Sequence, residues 1–169
     1  MHHGEGGHSA RAFRAEEFAA AGLPVSYPPC ITSFNKHRGT SRGLHYQAEP
    51  FPEAKLVHRA GGAIFDVAID LPPDSPTRCQ WFGLKVTAAK TPMLSIPDDF
   101  AQGVQTVEDA SEVFCQIGES YRDDLARGGR WNDKAFGIQS PIGVRILSSR
   151  DAEYPYFAPP DFAPPDIAP

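Results

Sequence analysis

The sequence predicts an all-β domain, a jelly-roll β-sandwich or barrel, with one or two short helices. Three observations favour this class: the segments that alternate polar and apolar residues are many and short, Gly and Pro separate them, and helical patterns are rare. The chain has 169 residues with 15 Gly and 17 Pro, and 41% of its residues are hydrophobic. This length suits one domain with a sizeable core.

The predicted elements follow a polar, His-bearing start at residues 1–9, which is typical of a flexible N-terminus. Residues 14–21, rich in Ala and Glu and followed by Gly22, predict a short helix. Pro28 and Pro29 confine the part of the chain around them to a sheet edge or a bulge. The predicted strands lie within 25–47 and at 56–57, 63–71, 81–87, 93–96, 103–107 and 112–117.

Alternation assigns the side chains of residues 42–47 to the two faces of a sheet. It places Arg42, Leu44 and Tyr46 on one face and Gly43, His45 and Gln47 on the other. We therefore expect His45 and Gln47 to lie side by side, with Arg42 on the opposite face.

The composition changes near the end of the chain. Residues 154–169 are rich in Pro and aromatic residues, and the unit Phe-Ala-Pro-Pro-Asp occurs twice there. Such spacing favours an extended chain without a core, either a disordered end or a segment that docks to a partner. The predicted organisation is a flexible N-terminus at 1–9, one domain at 10–153 and a Pro-rich disordered tail at 154–169.

Charge and composition exclude several classes of partner. The net charge of -5 leaves no excess of basic residues to neutralise the phosphates of a nucleic acid, although a few local cations suffice to bind a small anionic ligand. No apolar run approaches the roughly 20 residues that cross a bilayer, and the start lacks a signal-peptide pattern. We therefore expect a cytoplasmic protein without a membrane partner. The three cysteines lack the spacing of a zinc site or a disulfide framework.

Several motifs occur in a fixed order and together carry a family resemblance. They are the segment 42–47, Lys55, and the segments 62–71, 75–77, 96–103, 130–133 and 148–151. From about residue 7 to about residue 156 the chain resembles the dTDP-4-dehydrorhamnose 3,5-epimerases. The resemblance implies a cupin-type jelly roll and an isomerase of nucleotide-linked 4-keto-6-deoxysugars. It also implies a place in deoxysugar, dTDP-rhamnose and polysaccharide biosynthesis, a homodimer, and no cofactor.

The chemistry of such an epimerase requires a base, a cation for the enolate and an acid. A histidine held by a carboxylate suits the base role because its pKa lies near neutrality. The resemblance assigns the base to His45, its carboxylate partner to Asp151, and the cation to Lys55. The family's catalytic acid is a tyrosine, and Cys115 stands at its position. The thiol is shorter, so the sequence predicts either a substitute acid or a reaction restricted to one carbon.

The resemblance also assigns residues that bind the substrate. Arg42 matches an arginine on the diphosphate, where a planar fork suits phosphate; Tyr121 matches an aromatic residue stacked on the thymine; and Arg150 matches a basic ligand contact. Gln102 replaces a family histidine that touches the ligand, and Gln47 shares the predicted face of His45. Other nucleotide-contacting positions differ, at residues 4–9 and 29–31.

Two alternatives to this interpretation follow from the residues. A metal-dependent cupin needs a His-x-His pair, and position 47 is glutamine after the single His45, so the sequence predicts no metal site. The altered acid and nucleotide positions leave open a non-catalytic cupin that binds a sugar nucleotide or assembles with a true epimerase.

Overall fold

The computed structural model describes the backbone of residues 2–4 and 7–9 and the full structure of residues 13–89 and 92–157. Its strands are β1 (His2–Gly4), β2 (Gly7–Ser9), β3 (Cys30–Asn35), β4 (Ser41–Gln47), β5 (Lys55–Gly61), β6 (Ile64–Asp70), β7 (Trp81–Val86), β8 (Leu94–Ile96), β9 (Phe100–Thr106), β10 (Ser111–Ile117) and β11 (Ala126–Gly128). The helices are α1 (Ala15–Ala20) and α2 (Ser149–Glu153).

Two antiparallel sheets form the body of the protein. One contains four strands in the order β3-β10-β5-β8, and the other contains five in the order β11-β4-β9-β6-β7. β3 follows the two prolines and lies at the end of the four-stranded sheet. The predicted all-β class with short helices is confirmed.

Apolar side chains from both sheets meet in one core between them. Val57 and Val113 enter it from the four-stranded sheet, and Ile64, Ala68 and Val104 enter it from the five-stranded sheet. Interdigitated side chains from two facing sheets are the usual core of a β-sandwich. The functional site described below occupies the same space between the sheets.

The five-stranded sheet is covered on its second face as well. Phe65, Val67 and Ile69 of β6 pack there against Trp131 and Phe136. Every residue of β6 is therefore buried, which explains why its sequence is almost continuously apolar. The alternation predicted for this strand holds, since Ile64 and Ala68 face the core between the sheets.

The segment after α2 continues to contact the domain. The buried Asp133 carboxylate accepts hydrogen bonds from the backbone N–H of Ala135, at 2.9 Å, and of Phe157, at 2.6 Å. The Phe157 ring packs against Phe136, with centroids 5.1 Å apart. Residues 154–157, predicted to belong to the tail, therefore pack on the domain; the remainder of the predicted tail, 158–169, lies outside the described residues.

The N-terminal segment contains regular backbone structure. β1 and β2 pair antiparallel with each other and form a separate two-stranded sheet. The flexibility predicted for residues 1–9 stays a prediction. In the part of the chain that the structure describes, no helix has the length and apolar character needed to span a bilayer.

Candidate active site

A cavity of about 330 Å³ lies between the two sheets, and every predicted site residue lines it. β4 contributes Arg42, His45 and Gln47, and the strands β5, β9 and β10 contribute Lys55, Gln102 and Cys115 in turn. The helix α2 contributes Arg150 and Asp151, and the loop after β10 contributes Tyr121. The fold therefore joins positions that are more than a hundred residues apart.

His45 and Asp151 form a close pair at the wall of this cavity. His45 Nε2 lies 2.6 Å from Asp151 Oδ1, and the two residues are 106 positions apart in the sequence. The imidazole is 42% exposed whereas the carboxylate is only 5% exposed. An ionised carboxylate can only accept a hydrogen bond, so His45 Nε2 carries the proton and Nδ1 is the basic nitrogen.

Asp151 is held from three directions. Its backbone N–H donates at 3.0 Å to Oγ of Ser148, which is the N-cap residue of α2. Its Oδ2 accepts from the Gly43 N–H at 3.5 Å. Burial alone would raise the pKa of the Asp151 carboxyl, but His45, Ser148 and Gly43 together hold it below its ordinary value. The carboxylate is thus ionised at neutral pH and fixes the ring of His45.

A bulge in β4 places Arg42 and His45 together. The register between β4 and β9 shifts between these two residues, and Gly43 has φ +113°. A Cβ at Gly43 would come within 2.7 Å of the Gln102 carbonyl oxygen, so glycine is required here. The prediction that Arg42 faces away from His45 was wrong, because strict alternation does not survive the extra residue of a bulge.

The ammonium group of Lys55 is fixed beside His45. Lys55 Nζ donates to the backbone carbonyl of His45 at 3.0 Å and lies 3.0 Å from Glu53 Oε1. Both side chains of this ion pair are largely buried, 6% exposed for the lysine and 11% for the glutamate. Glu53 was not predicted from the sequence, because its position two residues before Lys55 is not in itself a signal.

The thiol of Cys115 faces the same cavity from the other sheet. Cys115 pairs with Val57 in the ladder between β10 and β5, which puts it on the same face as Lys55. Burial, with smaller contributions from Asp66 and Glu53, raises the pKa of the Cys115 thiol to about 12, although the Lys55 charge opposes this. Cys115 is therefore a protonated thiol at neutral pH.

Gln102 contacts a buried carboxylate that the sequence analysis did not assign to the site. Gln102 Nε2 donates to Asp66 Oδ1 at 2.6 Å, and Asp66 is only 1% exposed. Burial raises the pKa of Asp66 to about 7, against the opposing effects of Gln102, the Val67 N–H and Lys55. An acidic residue in the middle of a fully buried and mainly apolar strand is the signal that identifies Asp66.

Gln47 lines the cavity, but its polar atoms contact the protein. Its Nε2 donates to the Phe51 carbonyl at 2.6 Å and the Ser120 carbonyl at 3.2 Å, and its Oε1 accepts from the Arg122 N–H at 2.8 Å. Gln47 is only 2% exposed. This geometry favours a role in holding the loop around residue 120 over the predicted contact with the substrate.

Aromatic and basic side chains form the open rim of the cavity. Tyr121 is 62% exposed, and its hydroxyl donates to Asp123 at 2.9 Å. Arg150 Nε donates to the Tyr154 hydroxyl at 2.9 Å, and hydrogen bonds that Arg150 donates to Tyr121 and Tyr154 raise the pKa of Arg150. The Tyr154 ring lies edge-on to His45, with centroids 6.1 Å apart. Among the described residues no group of three or more His, Cys, Asp or Glu side chains is arranged to hold a metal ion.

The sequence profile of the dTDP-4-dehydrorhamnose 3,5-epimerase family matches residues 1–159. The chain belongs to this family. Among its relatives is the dTDP-4-dehydrorhamnose 3,5-epimerase of Shigella flexneri, 38% identical over 114 residues, which make up 68% of this chain and 63% of that protein. The alignment thus spans less than two thirds of that epimerase. The family resemblance predicted from the ordered motifs is confirmed.

Solved structures of the epimerase family have the same fold. The Bacillus anthracis dTDP-4-dehydrorhamnose 3,5-epimerase with TDP and PPi bound has a TM-score of 0.88 and 33% identity, covering 91% of this chain and 88% of that one. The Legionella pneumophila dTDP-6-deoxy-D-glucose-3,5-epimerase in complex with dTDP-4-keto-L-rhamnose has a TM-score of 0.83 and 27% identity, covering 88% and 79%. The predicted cupin-type jelly roll is confirmed.

Proposed function

We propose that this protein is an isomerase that epimerises a dTDP-linked 4-keto-6-deoxysugar in deoxysugar and dTDP-rhamnose biosynthesis. The observation that carries the proposal is the His45–Asp151 pair, 2.6 Å apart, with its imidazole open to a cavity that also holds Lys55 and Cys115. The names of the related epimerases support the choice of reaction, and the ligands in two of their structures support the choice of substrate.

His45 is the general base of this mechanism. Its Nδ1 removes a proton from the carbon beside the ketone, and the buried Asp151 carboxylate stabilises the imidazolium that forms. The electron pair of the broken C–H bond moves onto the ketone oxygen, which becomes an enolate.

Lys55 stabilises that enolate. Two of the three N–H donors of an ammonium group point at the His45 carbonyl and the Glu53 carboxylate, which leaves one for the substrate oxygen. Because these partners already fix the ammonium, little reorganisation accompanies the development of negative charge.

Cys115 returns the proton. His45 lies on the five-stranded sheet and Cys115 on the four-stranded sheet, so a sugar between them is approached from opposite faces, as inversion requires. The thiol S–H donates its proton to the enolate carbon, and the thiolate is reprotonated from water. Its raised pKa keeps the proton on sulfur until a strongly basic carbon is presented.

The nucleotide lies toward the basic and aromatic rim. Arg42 Nε donates a hydrogen bond to Asn35 Oδ1 at 2.8 Å. This contact orients the guanidinium, and its terminal nitrogens remain available for a diphosphate. Exposed Tyr121 offers a ring for the thymine, and Arg150 beside it adds a second positive charge.

We also propose that the protein is a cytoplasmic homodimer. β3 ends the four-stranded sheet, and Ile31 and Phe34 on it are 52% and 60% exposed. Exposed apolar side chains on an edge strand favour pairing with a second copy. A dimeric mass in light scattering at micromolar concentration is the expected result, and a monomeric mass would contradict it.

The test of the function is solvent exchange at the two carbons that flank the ketone. The protein is incubated with dTDP-4-dehydro-6-deoxyglucose in heavy water, and loss of the C3 and C5 proton signals is followed by NMR. We expect exchange and inversion with the wild type and neither with His45→Ala. Exchange that continues unchanged in His45→Ala would refute the assignment of the base.

A non-catalytic sugar-nucleotide binder is the second candidate, and the raised pKa of Cys115 favours it because such a thiol gives up its proton reluctantly. Calorimetry with dTDP separates the two functions. Binding without exchange at either carbon supports the binder, whereas exchange at one carbon alone supports a single-site epimerase.

A further inference from the structure

The contact between Asp66 and Gln102 joins a fully enclosed carboxylate to the wall of the cavity. Asp66 on β6 and Gln102 on β9 lie on neighbouring strands, and the Gln102 side chain lines the cavity while Asp66 lies behind it. Their 2.6 Å contact uses the amide nitrogen of Gln102. The amide oxygen is therefore the polar atom that Gln102 offers to a ligand.

This arrangement depends on the charge of Asp66. An ionised carboxylate has no proton and must accept from the Gln102 NH₂ group, whereas a protonated carboxyl can donate its O–H to the amide oxygen. The two arrangements differ by a rotation of the amide through about 180°. Each gives the buried carboxyl one hydrogen bond with Gln102, so the contact between the two side chains is kept in both.

The groups that face Asp66 come from several strands. Lys55 approaches from β5 and favours the ionised form, while the Cys115 thiol on β10 is uncharged at neutral pH. Glu53 neutralises part of the Lys55 charge, and His45 on β4 borders the same cavity. These opposing influences and the burial leave both protonation states of Asp66 accessible near neutrality.

We propose that Asp66 is a positioning residue whose protonation state sets the orientation of the Gln102 amide, so that the cavity wall presents a hydrogen-bond acceptor when Asp66 is ionised and a donor when it is protonated. The inference rests on the proposed function in that the wall belongs to the sugar-nucleotide cavity. The proton comes from bulk water and stays on the Asp66 carboxyl.

The consequence for a bound sugar follows from its functional groups. A hydroxyl group can donate or accept, whereas a ketone or ring oxygen can only accept. The donor state of Gln102 therefore accommodates either kind of group, and the acceptor state rejects one that cannot donate, because two acceptors would face each other.

The test measures the amide orientation directly, without substrate, so that it stands whether or not the protein is an epimerase. The rate at which the Gln102 side-chain NH₂ protons exchange with water is followed by ¹⁵N NMR between pH 5.5 and 8.5. Base catalysis makes exposed amides such as that of Gln80 exchange faster as pH rises. For Gln102 we expect the rate to rise only up to about pH 7 and then to level off, because above that pH each gain in hydroxide is offset by an equal loss of the form whose NH₂ faces the cavity.

Asp66→Asn removes the titration while keeping the shape and one hydrogen bond. In this variant we expect the Gln102 exchange rate to rise with pH as that of Gln80 does. In Gln102→Met the side-chain NH₂ signal of Gln102 disappears, which identifies that signal. If Asp66→Asn does not fold, Gln102→Met is the second variant, in which the titration of Asp66 is followed by its carboxyl ¹³C shift. A Gln102 rate that parallels Gln80 in the wild type would overturn the proposal.

The effect on ligands is measured with dTDP-4-dehydro-6-deoxyglucose, whose ketone can only accept a hydrogen bond, and dTDP-glucose, whose hydroxyl groups can also donate. Both are measured in a His45→Ala background, in which the proposed reaction is blocked. We expect the ratio of their Kd values to change about fivefold between pH 5.5 and 8.5, since one hydrogen bond of this kind contributes about 1 kcal/mol. The ratio should stay constant when Asp66→Asn is added. A constant ratio in the protein that retains Asp66 would count against the proposed effect of the amide on the sugar.

Discussion

Lys55 Nζ donates a hydrogen bond at 3.0 Å to the backbone carbonyl of His45, so the ammonium group is anchored to the strand that carries the proposed base. The two residues lie on different sheets, and Glu53 completes the contact from the other side of the ammonium. A shift of one sheet relative to the other would therefore strain this contact.

The buried ion pair between Glu53 and Lys55 leads to the first prediction. Lys55→Met leaves the Glu53 carboxylate, only 11% exposed, without its cation, and should lower the free energy of unfolding by about 3–5 kcal/mol. Glu53→Gln combined with Lys55→Met removes both charges and should recover most of that loss. Urea unfolding midpoints measure both; a double variant as unstable as the single one would argue against the pair. The exposed Arg14–Glu17 contact provides a control, since Glu17→Gln should change little.

The carboxylate behind His45 leads to the second prediction. Asp151→Asn keeps the shape of the side chain but removes the charge that stabilises the imidazolium, so we expect kcat for proton exchange to fall about 10³-fold. Ser148→Ala removes only the cap of Asp151 and should lower stability by about 1 kcal/mol with a far smaller effect on rate. Equal loss of activity in the two variants would mean that Asp151 acts only by holding α2 in place.

The cysteines lead to the third prediction. Cys30 is exposed, whereas Cys79 and Cys115 are buried and burial raises the pKa of both thiols. In the native protein we expect a single thiol to react rapidly with a disulfide reagent, and Cys30→Ser to abolish that phase. Cys115 should react at least about 10³-fold more slowly than an ordinary thiol, because its thiolate is rare at neutral pH. Rapid modification of Cys115 in Cys30→Ser would contradict its burial.

The raised pKa of Asp66 makes stability depend on pH, which is the fourth prediction. The folded protein favours the protonated carboxyl, so the contribution of Asp66 to stability is fully present below pH 4, the range of an unfolded aspartate, and is lost as pH rises to about 7. Asp66→Asn removes this loss and should be more stable than the wild type at pH 8, by an amount on the order of 4 kcal/mol. Unfolding in urea at pH 5 and pH 8 measures the difference between the two proteins; a gap that does not widen with pH would count against the buried carboxyl.

The bulge in β4 leads to the fifth prediction. Gly43→Ala places a Cβ within 2.7 Å of the Gln102 carbonyl oxygen and the Gly103 Cα, at a φ that disfavours any side chain. We expect a loss of at least about 3 kcal/mol of stability, and displacement of His45 from Asp151 in any protein that folds. Gly143→Ala is the matched control, since its Cβ meets nothing within 4 Å. Circular dichroism melting and the exchange assay report the two effects; a Gly43→Ala protein as stable as this control would exclude the strained bulge.

Local patterns in the sequence predicted most of the strands. The alternation in 63–71 and 112–117 anticipated β6 and β10 within one or two residues, because each strand places alternate side chains in one apolar core. The predicted pair 56–57 underestimated β5, which runs from Lys55 to Gly61 with polar residues in its second half. Nothing predicted the three-residue β11, which is defined by its pairing with β4 rather than by its own composition.

The site was predicted through the family resemblance rather than through local patterns. Ordered motifs identified His45, Lys55 and Asp151, and the structure brings these residues to one cavity. Asp66 was missed because its contact with Gln102 joins two different strands, and Glu53 was missed because a carboxylate two residues before a lysine is not in itself a signal of a buried ion pair. The face of Arg42 was wrong for a related reason: the bulge that turns it depends on the close approach of β9 to Gly43.

The carboxylate partner of His45 is carried by α2, a helix of five residues, whereas His45 itself belongs to the five-stranded sheet. Folding of the two sheets alone therefore leaves the imidazole without its counter-charge. Under the proposed mechanism, proton abstraction requires that α2 is docked on β4, so local fraying of this helix would stop turnover while both sheets remain intact.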